Sequence, residues 1–144
     1  MYNNLKNISL TIKSISKEDW KKLFKLIPEI ENTVYFVESG GIDKDPANPD
    51  GFIVTPIIEK KIVWDFVKIL DDFNLLIAFD WPKWDEGRKI ASSQDFENID
   101  TVTLLKLISA FIRNNRFCDG ALAAKFEDGS IEKILMQIKK NIEE

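Results

Sequence analysis

Apolar side chains recur at helical spacing in five segments of the chain, and each segment predicts one helix. Ser16 is placed to cap the first helix and Pro28 to end it. The apolar stripe of this helix comprises Trp20, Leu23, Phe24 and Ile27. Pro56 suits the first turn of a second helix that ends near Asp71 or Asp72, because its missing N–H would have no partner there. The stripe of the second helix comprises Ile58, Ile62, Phe66 and Ile69.

The other three helices are predicted in the last third of the chain. Asp100 caps a third helix whose apolar face is broad enough to place it at the centre of the fold. That face comprises Leu104, Leu105, Ile108, Phe111 and Ile112. Asp119 caps a short fourth helix that runs to about Glu127, and Ser130 caps the last helix after Gly129, which is free to adopt positive φ. The stripe of the last helix comprises Ile131, Ile134, Leu135, Ile138 and Ile142.

Two short segments have the composition of β-strands. Residues 33–38 are rich in β-branched and aromatic side chains, and apolar residues alternate along residues 75–79. The stretch GGIDKDPANPDG between the first strand and the second helix has the glycine, proline and Asx content of a long loop. We therefore predict a mainly α fold: a single compact helical domain over residues 1–144, with about five helices and at most a small two-stranded β-hairpin. Its core is expected to contain Trp20, Phe24, Phe66, Leu105, Ile108, Phe111, Phe126 and Leu135.

The composition is that of an ordinary water-soluble protein, with 44% apolar and 31% charged residues in a chain of 144. The net charge of -4 and the lack of a basic cluster argue against nucleic-acid binding, because duplex affinity comes mainly from neutralised phosphates. No apolar run approaches the roughly 18 residues of a membrane helix, so we expect no membrane association. The single cysteine, Cys118, cannot form an internal disulfide, which predicts a cytoplasmic protein. We expect Cys118 to be a small buried apolar residue.

The chain contains no histidine, which excludes Ser-His-Asp and Cys-His nucleophiles and the H-E-x-x-H zinc motif. With one cysteine it also lacks the ligands of structural zinc, and it has no glycine-rich phosphate-binding fingerprint. An enzyme with this sequence would depend on carboxylates, lysines or tyrosines. We assign no catalytic residue and expect neither a metal nor a cofactor.

The stretch RNNRFCDGALAAKFEDGS, residues 113–130, contains two of the three arginines of the chain. If the third helix extends to Arg116, then Arg113 and Arg116 share a face and could hold one carboxylate or phosphate. The alternative is that each arginine stabilises the fold by binding backbone carbonyls and an acidic side chain. We favour this alternative, most of all for Arg116, which lies at a break between helices where carbonyls need donors.

The segment DWPKWDEG begins at Asp80 and supplies the second group of candidate residues. Trp81 and Trp84 either form an aromatic platform for a ligand or partner, or seal the core beneath a proline turn, and we favour the second interpretation. The complete set of candidate ligand-binding residues is Arg113, Arg116, Asp119, Asp80, Trp81 and Trp84.

A residue pattern in the last third of the chain carries a family resemblance. It consists of Arg113-x-x-Arg116-Phe117-x-x-Gly120-Ala121, then Phe126-x-x-Gly129 and Ile131-x-x-Ile134-Leu135. This pattern resembles the C-terminal signature of an uncharacterised bacterial family known only as a domain of unknown function. Trp20-x-x-Leu23 followed by Pro28, and Asp80-Trp81, match more loosely. The resemblance implies a bacterial cytosolic protein and no particular reaction.

The leading hypothesis is a non-catalytic interaction module that binds a protein partner or a small anionic ligand near Arg113, Arg116 and Trp81. The alternative is a histidine-free enzyme that uses Asp80 and Asp119 beside the arginines. A deep pocket lined by these polar groups would favour the enzyme, and a flat or filled surface would favour the module. The sequence makes no prediction of the oligomeric state.

Overall fold

The computed structural model describes residues 2–144, and this part of the chain forms eight α-helices and four short β-strands. The helices are α1 (Ile8–Ser14), α2 (Lys17–Phe24), α3 (Leu26–Glu31), α4 (Lys61–Asp72), α5 (Asp85–Ser93), α6 (Thr101–Asn114), α7 (Ala121–Glu127) and α8 (Ser130–Glu143). The strands are β1 (Asn3–Asn4), β2 (Val37–Lys44), β3 (Phe52–Glu59) and β4 (Ile77–Ala78), and a 3-10 turn spans Trp81–Lys83. The predicted mainly α fold with a small two-stranded hairpin is confirmed. Within residues 2–144, no helix combines the length and the apolar character needed to cross a membrane.

Helix α6 lies at the centre of the fold, as its broad apolar face predicts. It packs against α5, α7, α8 and β4. Its cap is also as predicted, because the carboxylate of Asp100 accepts a hydrogen bond from the Thr103 N–H at 3.0 Å. The predicted core is confirmed: seven of its eight side chains are buried, and Phe24 is half-buried against them. Each such burial stabilises the fold by about 1.5–3 kcal/mol.

The structure has more helices than the five predicted, because one predicted helix is divided and two were missed. Ser16 caps α2 as predicted, accepting from the Asp19 N–H at 3.1 Å. The chain then turns at Lys25, and α3 follows at once. Pro28 lies in the first turn of α3 and does not end the helix, because a proline there removes an N–H that has no intrahelical partner. Helices α1 and α5 are the two that the apolar pattern did not predict.

The predicted hairpin exists but consists of other residues. Strand β2 pairs antiparallel with β3, with Ile42 opposite Val54, whereas β4 pairs in parallel with β1. The predicted pairing of residues 33–38 with 75–79 is therefore wrong. The predicted loop is correct only over residues 45–51, because residues 40–44 belong to β2. Pro56 lies in β3, and α4 begins at Lys61 and ends at Asp72. Gly40 makes this pairing possible, because a Cβ at its φ of +103° would overlap the backbone of Pro56.

Two caps near the C-terminus differ from the prediction. Gly120 precedes α7 and Gly129 precedes α8, each with a φ of +85°, whereas Asp119 and Ser130 were the predicted caps. The positive φ predicted for Gly129 is confirmed. A left-handed glycine reverses the chain sharply between helices. The first N–H groups of α7 and α8 are bound by side chains from further back in the chain, because Asn115 accepts from Leu122 and Asp128 accepts from Ser130.

Candidate functional site

The structure does not bring the six predicted site residues into one pocket. Arg116 lines a groove between α4 and the junction of α6 with α7, whereas Trp81 and Trp84 line a smaller pocket elsewhere along α6. Arg113, Asp80 and Asp119 line neither of them. The two pockets are therefore separate candidates.

The Arg116 groove has a volume of about 410 Å³; its aliphatic lining residues are buried or half-buried, and its charged lining residues are exposed at its edge. Four aliphatic side chains form its wall: Val67, Leu76, Ile112 and Leu122. The other lining residues are Tyr2, Trp64, Lys68, Asp71, Asn115 and Arg116. Helix α4 contributes one side, and the end of α6 with the beginning of α7 contributes the other. A groove of this size and character can hold a small molecule with an apolar body.

Arg116 is exposed and lies just after the end of α6, where its N–H donates to the Arg113 carbonyl at 3.2 Å. Throughout residues 2–144, no acidic side chain forms an ion pair with the Arg116 guanidinium, and no acceptor there receives a hydrogen bond from it. The partner that would make Arg116 a structural residue is thus missing from the described part of the chain. Its positive charge remains available at the edge of the groove.

Lys68 is the second cation of the groove, and it already has a partner. Its Nζ lies 2.9 Å from a carboxylate oxygen of Asp72, one helical turn further along α4. The hydrogen bond to Asp72, together with the negative charge of Asp72, raises the pKa of the Lys68 ammonium. Lys68 therefore stays charged at neutral pH, but its charge is balanced by Asp72. Arg116 is the better candidate for an incoming anion.

Arg113 packs on an aromatic ring and does not enter the groove. Its guanidinium carbon lies 4.9 Å from the centre of the Tyr2 ring, a cation–π contact. Because Tyr2 itself lines the groove, Arg113 positions part of its wall. The prediction that Arg113 and Arg116 hold one anion together stays a prediction, and the contacts of Arg113 are those of a supporting residue.

The side chain of Asn115 links the elements around the groove by hydrogen bonds, a role that the sequence did not predict. Its side-chain N–H donates to the Glu59 carboxylate at 3.2 Å, and its side-chain carbonyl accepts from the Leu122 N–H at 3.1 Å. One residue thus joins the end of α6, the beginning of α7 and the base of β3. The available signal was an Asn after the apolar stripe of α6, which predicts only the end of a helix.

The second pocket has a volume of about 260 Å³ and is bordered by the two tryptophans. Trp84 is half-buried against the core, and its ring meets Phe79 edge-on at 5.3 Å. The Lys106 ammonium lies 4.3 Å from the centre of the Trp84 ring, so a cation already occupies that aromatic face. Trp81 contacts the exposed ring of Phe117 at 6.2 Å. Trp84 thus packs against the core, as predicted, whereas Trp81 packs against Phe117 near the surface.

The remaining candidates lie apart from the groove. Asp80 is exposed and forms a loose ion pair with Lys83 at 3.8 Å. Asp119 accepts a hydrogen bond from the Ile57 N–H of β3 at 2.8 Å, so it fastens the hairpin. Cys118 is exposed, and the prediction that it is a buried apolar residue is wrong. Over residues 2–144, no three Cys, Asp or Glu side chains converge as metal ligands would.

A family model for a family of unknown function, DUF6508, matches residues 15–144. The chain belongs to this family. Every residue that lines the groove except Tyr2 lies inside the matched segment. No curated protein and no solved structure gives a match to the chain. Membership in DUF6508 brings no activity with it, so any function has to be argued from the geometry.

Proposed function

We propose that this protein is a non-catalytic module that binds a small anionic molecule with an apolar body in the groove beside Arg116. One observation carries this proposal: an exposed guanidinium with no acidic partner in residues 2–144 lies at the edge of an apolar groove. A charge of this kind attracts an anion from solution. The apolar wall beneath it favours a ligand that also has a hydrocarbon or aromatic part.

The chemistry of arginine favours an oxyanion such as a carboxylate or a phosphate. The planar guanidinium offers two parallel N–H donors, which match two oxygens of either group. The indole of Trp64, which is about half-exposed at the groove, is well placed to cover the apolar part of the ligand. Asn115 and Arg113 fix the wall and so reduce the ordering cost of binding.

The positions of the carboxylates favour a binding module over the histidine-free enzyme. The enzyme hypothesis needs Asp80 and Asp119 beside the arginines. Asp80 pairs with Lys83, and Asp119 is bound to the backbone of β3. Neither lines the Arg116 groove, so the acids named for catalysis do not face the space where a ligand would sit.

We also infer that the protein works in the bacterial cytoplasm and does not bind nucleic acid. The lone Cys118 is consistent with a reducing compartment, and the C-terminal residue pattern resembles a bacterial family. The net charge of -4 opposes binding to a phosphate backbone.

Isothermal titration with three small probes tests the proposed site. Phenyl phosphate and phenylacetate carry the anion on an apolar ring, whereas phenylacetamide is a neutral analogue of nearly the same shape. We expect both anions to bind at least about tenfold more tightly than the amide, since a charge-assisted hydrogen bond contributes about 1.5–3 kcal/mol.

Two arginine variants assign the binding to the groove. Arg116→Gln should abolish the preference for the anions. Arg88→Gln is the matched control, because Arg88 is exposed but pairs with Asp85 at 3.1 Å and lies outside the groove. Equal binding of anion and amide, or anion binding that survives in Arg116→Gln, would rule out this site.

A further inference from the structure

The β2–β3 hairpin exposes an unusual amount of apolar surface. Among residues 2–144, twelve large apolar side chains are exposed; five of them lie on the hairpin, and Val34 and Tyr35 lie just before it. Three on the hairpin are especially open: Ile42 at 72%, Phe52 at 68% and Val54 at 73% of their full accessible area. Single exposed apolar residues are common, but a concentration of this kind marks an interaction surface.

The strand register places these three side chains on one face. Ile42 lies directly opposite Val54, and Lys44 lies directly opposite Phe52, two positions further along. Opposite residues in an antiparallel pair point to the same side, and so do residues two apart in a strand. Ile42, Phe52 and Val54 therefore form a continuous apolar face, with the Lys44 stem beside it.

The two strands of the hairpin differ in how well their free edges are protected. The sheet has only these two strands in the described part of the chain, so each has one unpaired edge. Strand β2 contains two left-handed glycines followed by Asp43 and Lys44, features that discourage a further strand. Residues 52–55 of β3 carry no charge and no glycine. An uninterrupted run of this type is typical of a strand that is covered on both faces.

The charge of the hairpin limits what can cover it. Residues 37–59 contain five acidic residues and one lysine, so they account for the whole net charge of -4. The rest of the chain has 19 acidic and 19 basic residues and is neutral. Two copies of this hairpin placed face to face would repel each other, whereas a basic segment would be attracted.

We propose that the hairpin binds an extended segment of another protein that alternates apolar and basic residues and adds as a third strand along β3. The backbone of the segment would pair with the free edge of β3. Its apolar side chains would pack beside Phe52 and Val54 and extend the apolar face that these residues form with Ile42. Its basic side chains would be attracted by the exposed acidic residues of the hairpin, such as Asp43 and Asp50. This is strand addition with charge complementarity as the source of specificity.

The base of the hairpin is already held in place, which favours such binding. The Ile57 N–H donates to Asp119 at 2.8 Å, and the Glu59 carboxylate accepts from Asn115 at 3.2 Å. These contacts lie at the end of β3 that meets the helices, whereas residues 52–55 are exposed at its other end. A strand that is fixed at its base loses less freedom when a partner binds.

Fluorescence anisotropy with labelled peptides tests this proposal on the whole protein. The probe is a peptide of about nine residues that alternates lysine and valine, and two controls carry the same residues in blocks or replace lysine by glutamate. We expect the alternating basic peptide to bind at least about tenfold more tightly than either control. Its affinity should fall between about 50 and about 300 mM salt, because charges at the rim are screened.

Variants of the protein locate the peptide on the hairpin. The double variant Ile42→Thr/Val54→Thr keeps β-branched residues on the exposed face and should weaken binding about tenfold or more. Leu10→Thr is the matched control, because Leu10 is 68% exposed on α1 and should have no effect. A second variant, Asp43→Asn/Asp50→Asn, removes charge without altering the apolar face, and it should weaken binding at low salt.

Three results would overturn the proposal. The first is equal binding of the alternating and the blocked peptide, which would mean simple charge attraction. The second is unchanged binding in both double variants. The third is a dimer in sedimentation analysis that Ile42→Thr/Val54→Thr dissociates, because the apolar face would then belong to a second copy. Arg116→Gln should leave peptide binding unchanged, so this test is separate from that of the anion groove.

Discussion

Helix α6 and strand β3 are both rich in apolar residues, but the two elements differ in how far these residues are exposed to solvent. In α6, Leu104, Leu105, Leu107 and Ile108 are all at most 1% exposed. In β3, Phe52 and Val54 keep about two thirds or more of their surface in contact with solvent. These apolar side chains of α6 are buried within the chain, whereas those of β3 face solvent.

The difference arises from what surrounds each element. Helix α6 is enclosed by α5, α7, α8 and β4. The hairpin is joined to the helical body near its base, through Asp119 and Asn115. Apolar content alone therefore does not identify the core. The number of neighbouring elements decides which apolar residues are buried and which stay exposed.

The largest expected effect separates the two regions directly. Phe66→Ala should lower the free energy of unfolding by about 3–5 kcal/mol, because Phe66 is completely buried and packs edge-on against Phe126 at 5.2 Å. Val54→Ala on the hairpin should change it by less than about 0.5 kcal/mol. Urea denaturation of both variants provides the measurement. Similar losses for the two would mean that the hairpin face is buried in solution.

Two glycines have the same φ of +85°, but only Gly120 lies where the helices meet the hairpin. Gly129 precedes α8 and serves as the comparison. Leucine at either position should cost about 1–2 kcal/mol for the left-handed backbone. Gly120→Leu should cost about 1 kcal/mol more than Gly129→Leu, because a Cβ at Gly120 would lie 2.7 Å from Cδ1 of Ile57, whereas Gly129 has only Lys133 at 4.0 Å. Equal midpoints in urea for the two variants would show that Ile57 moves aside without cost.

The two arginines near this junction should differ modestly in stability. Arg113→Ala should cost about 0.5–1 kcal/mol through loss of its contact with Tyr2. Arg116→Ala should change stability by less than about 0.5 kcal/mol, since its side chain is exposed and without an acidic partner in residues 2–144. Thermal and urea melts compare them. A loss of about 3 kcal/mol or more in Arg116→Ala would restore the structural role favoured from the sequence.

The smallest expected effect is a pH dependence of the free energy of unfolding, which arises from Glu132 in α8 and Glu31 in α3. Partial burial raises the pKa of the Glu132 carboxyl, and a hydrogen bond with Glu31 and its negative charge raise the pKa further. The folded protein therefore binds this proton more tightly than the unfolded chain does. The stabilisation it provides is complete below the unfolded pKa and is lost as pH rises through the folded pKa.

Glu132→Gln should remove this dependence. Near neutral pH the variant should be more stable than the parent, by about 0.5 kcal/mol or less for a pair that is mostly in water. Below the unfolded pKa the two proteins should have nearly equal stability. Melting midpoints across the acidic range give the comparison, and a variant less stable than the parent at neutral pH would contradict it. Val54→Ala, on the hairpin, should shift stability equally at every pH.

Much of the helical body could be predicted from the sequence, because its signals are local. The caps at Ser16 and Asp100 form as predicted, and the predicted apolar stripes of α6 and α8 face the core. The stripe predicted for α4 is correct only in part: Phe66 is buried, but the other buried residues are Val63 and Leu70, and Ile58 is exposed in β3. The short helices α1 and α5 escaped prediction since each buries little. Only Ile8 of α1 and Gly87 of α5 are buried, so neither has a strong apolar stripe.

The candidate site could be predicted only in part. The sequence drew attention to Arg116, but it also grouped Trp81 and Asp119 with it, and these residues lie elsewhere. Tyr2 and Trp64 complete the groove from distant parts of the chain. Such neighbours depend on how the helices pack, and spacing along the chain carries no signal of that packing.

The sequence by itself determined the mainly α class and the central position of α6, because helical periodicity depends on residues that are close in the chain. It also excluded the histidine chemistries, because the composition contains no histidine. Only the tertiary structure decided that β3 pairs with β2, that Asp119 binds the β3 backbone and that Arg116 has no acidic partner in residues 2–144. Strand pairing and ion pairing join residues far apart in sequence. Their partners are selected by the packed shape of the whole chain, which no local pattern encodes.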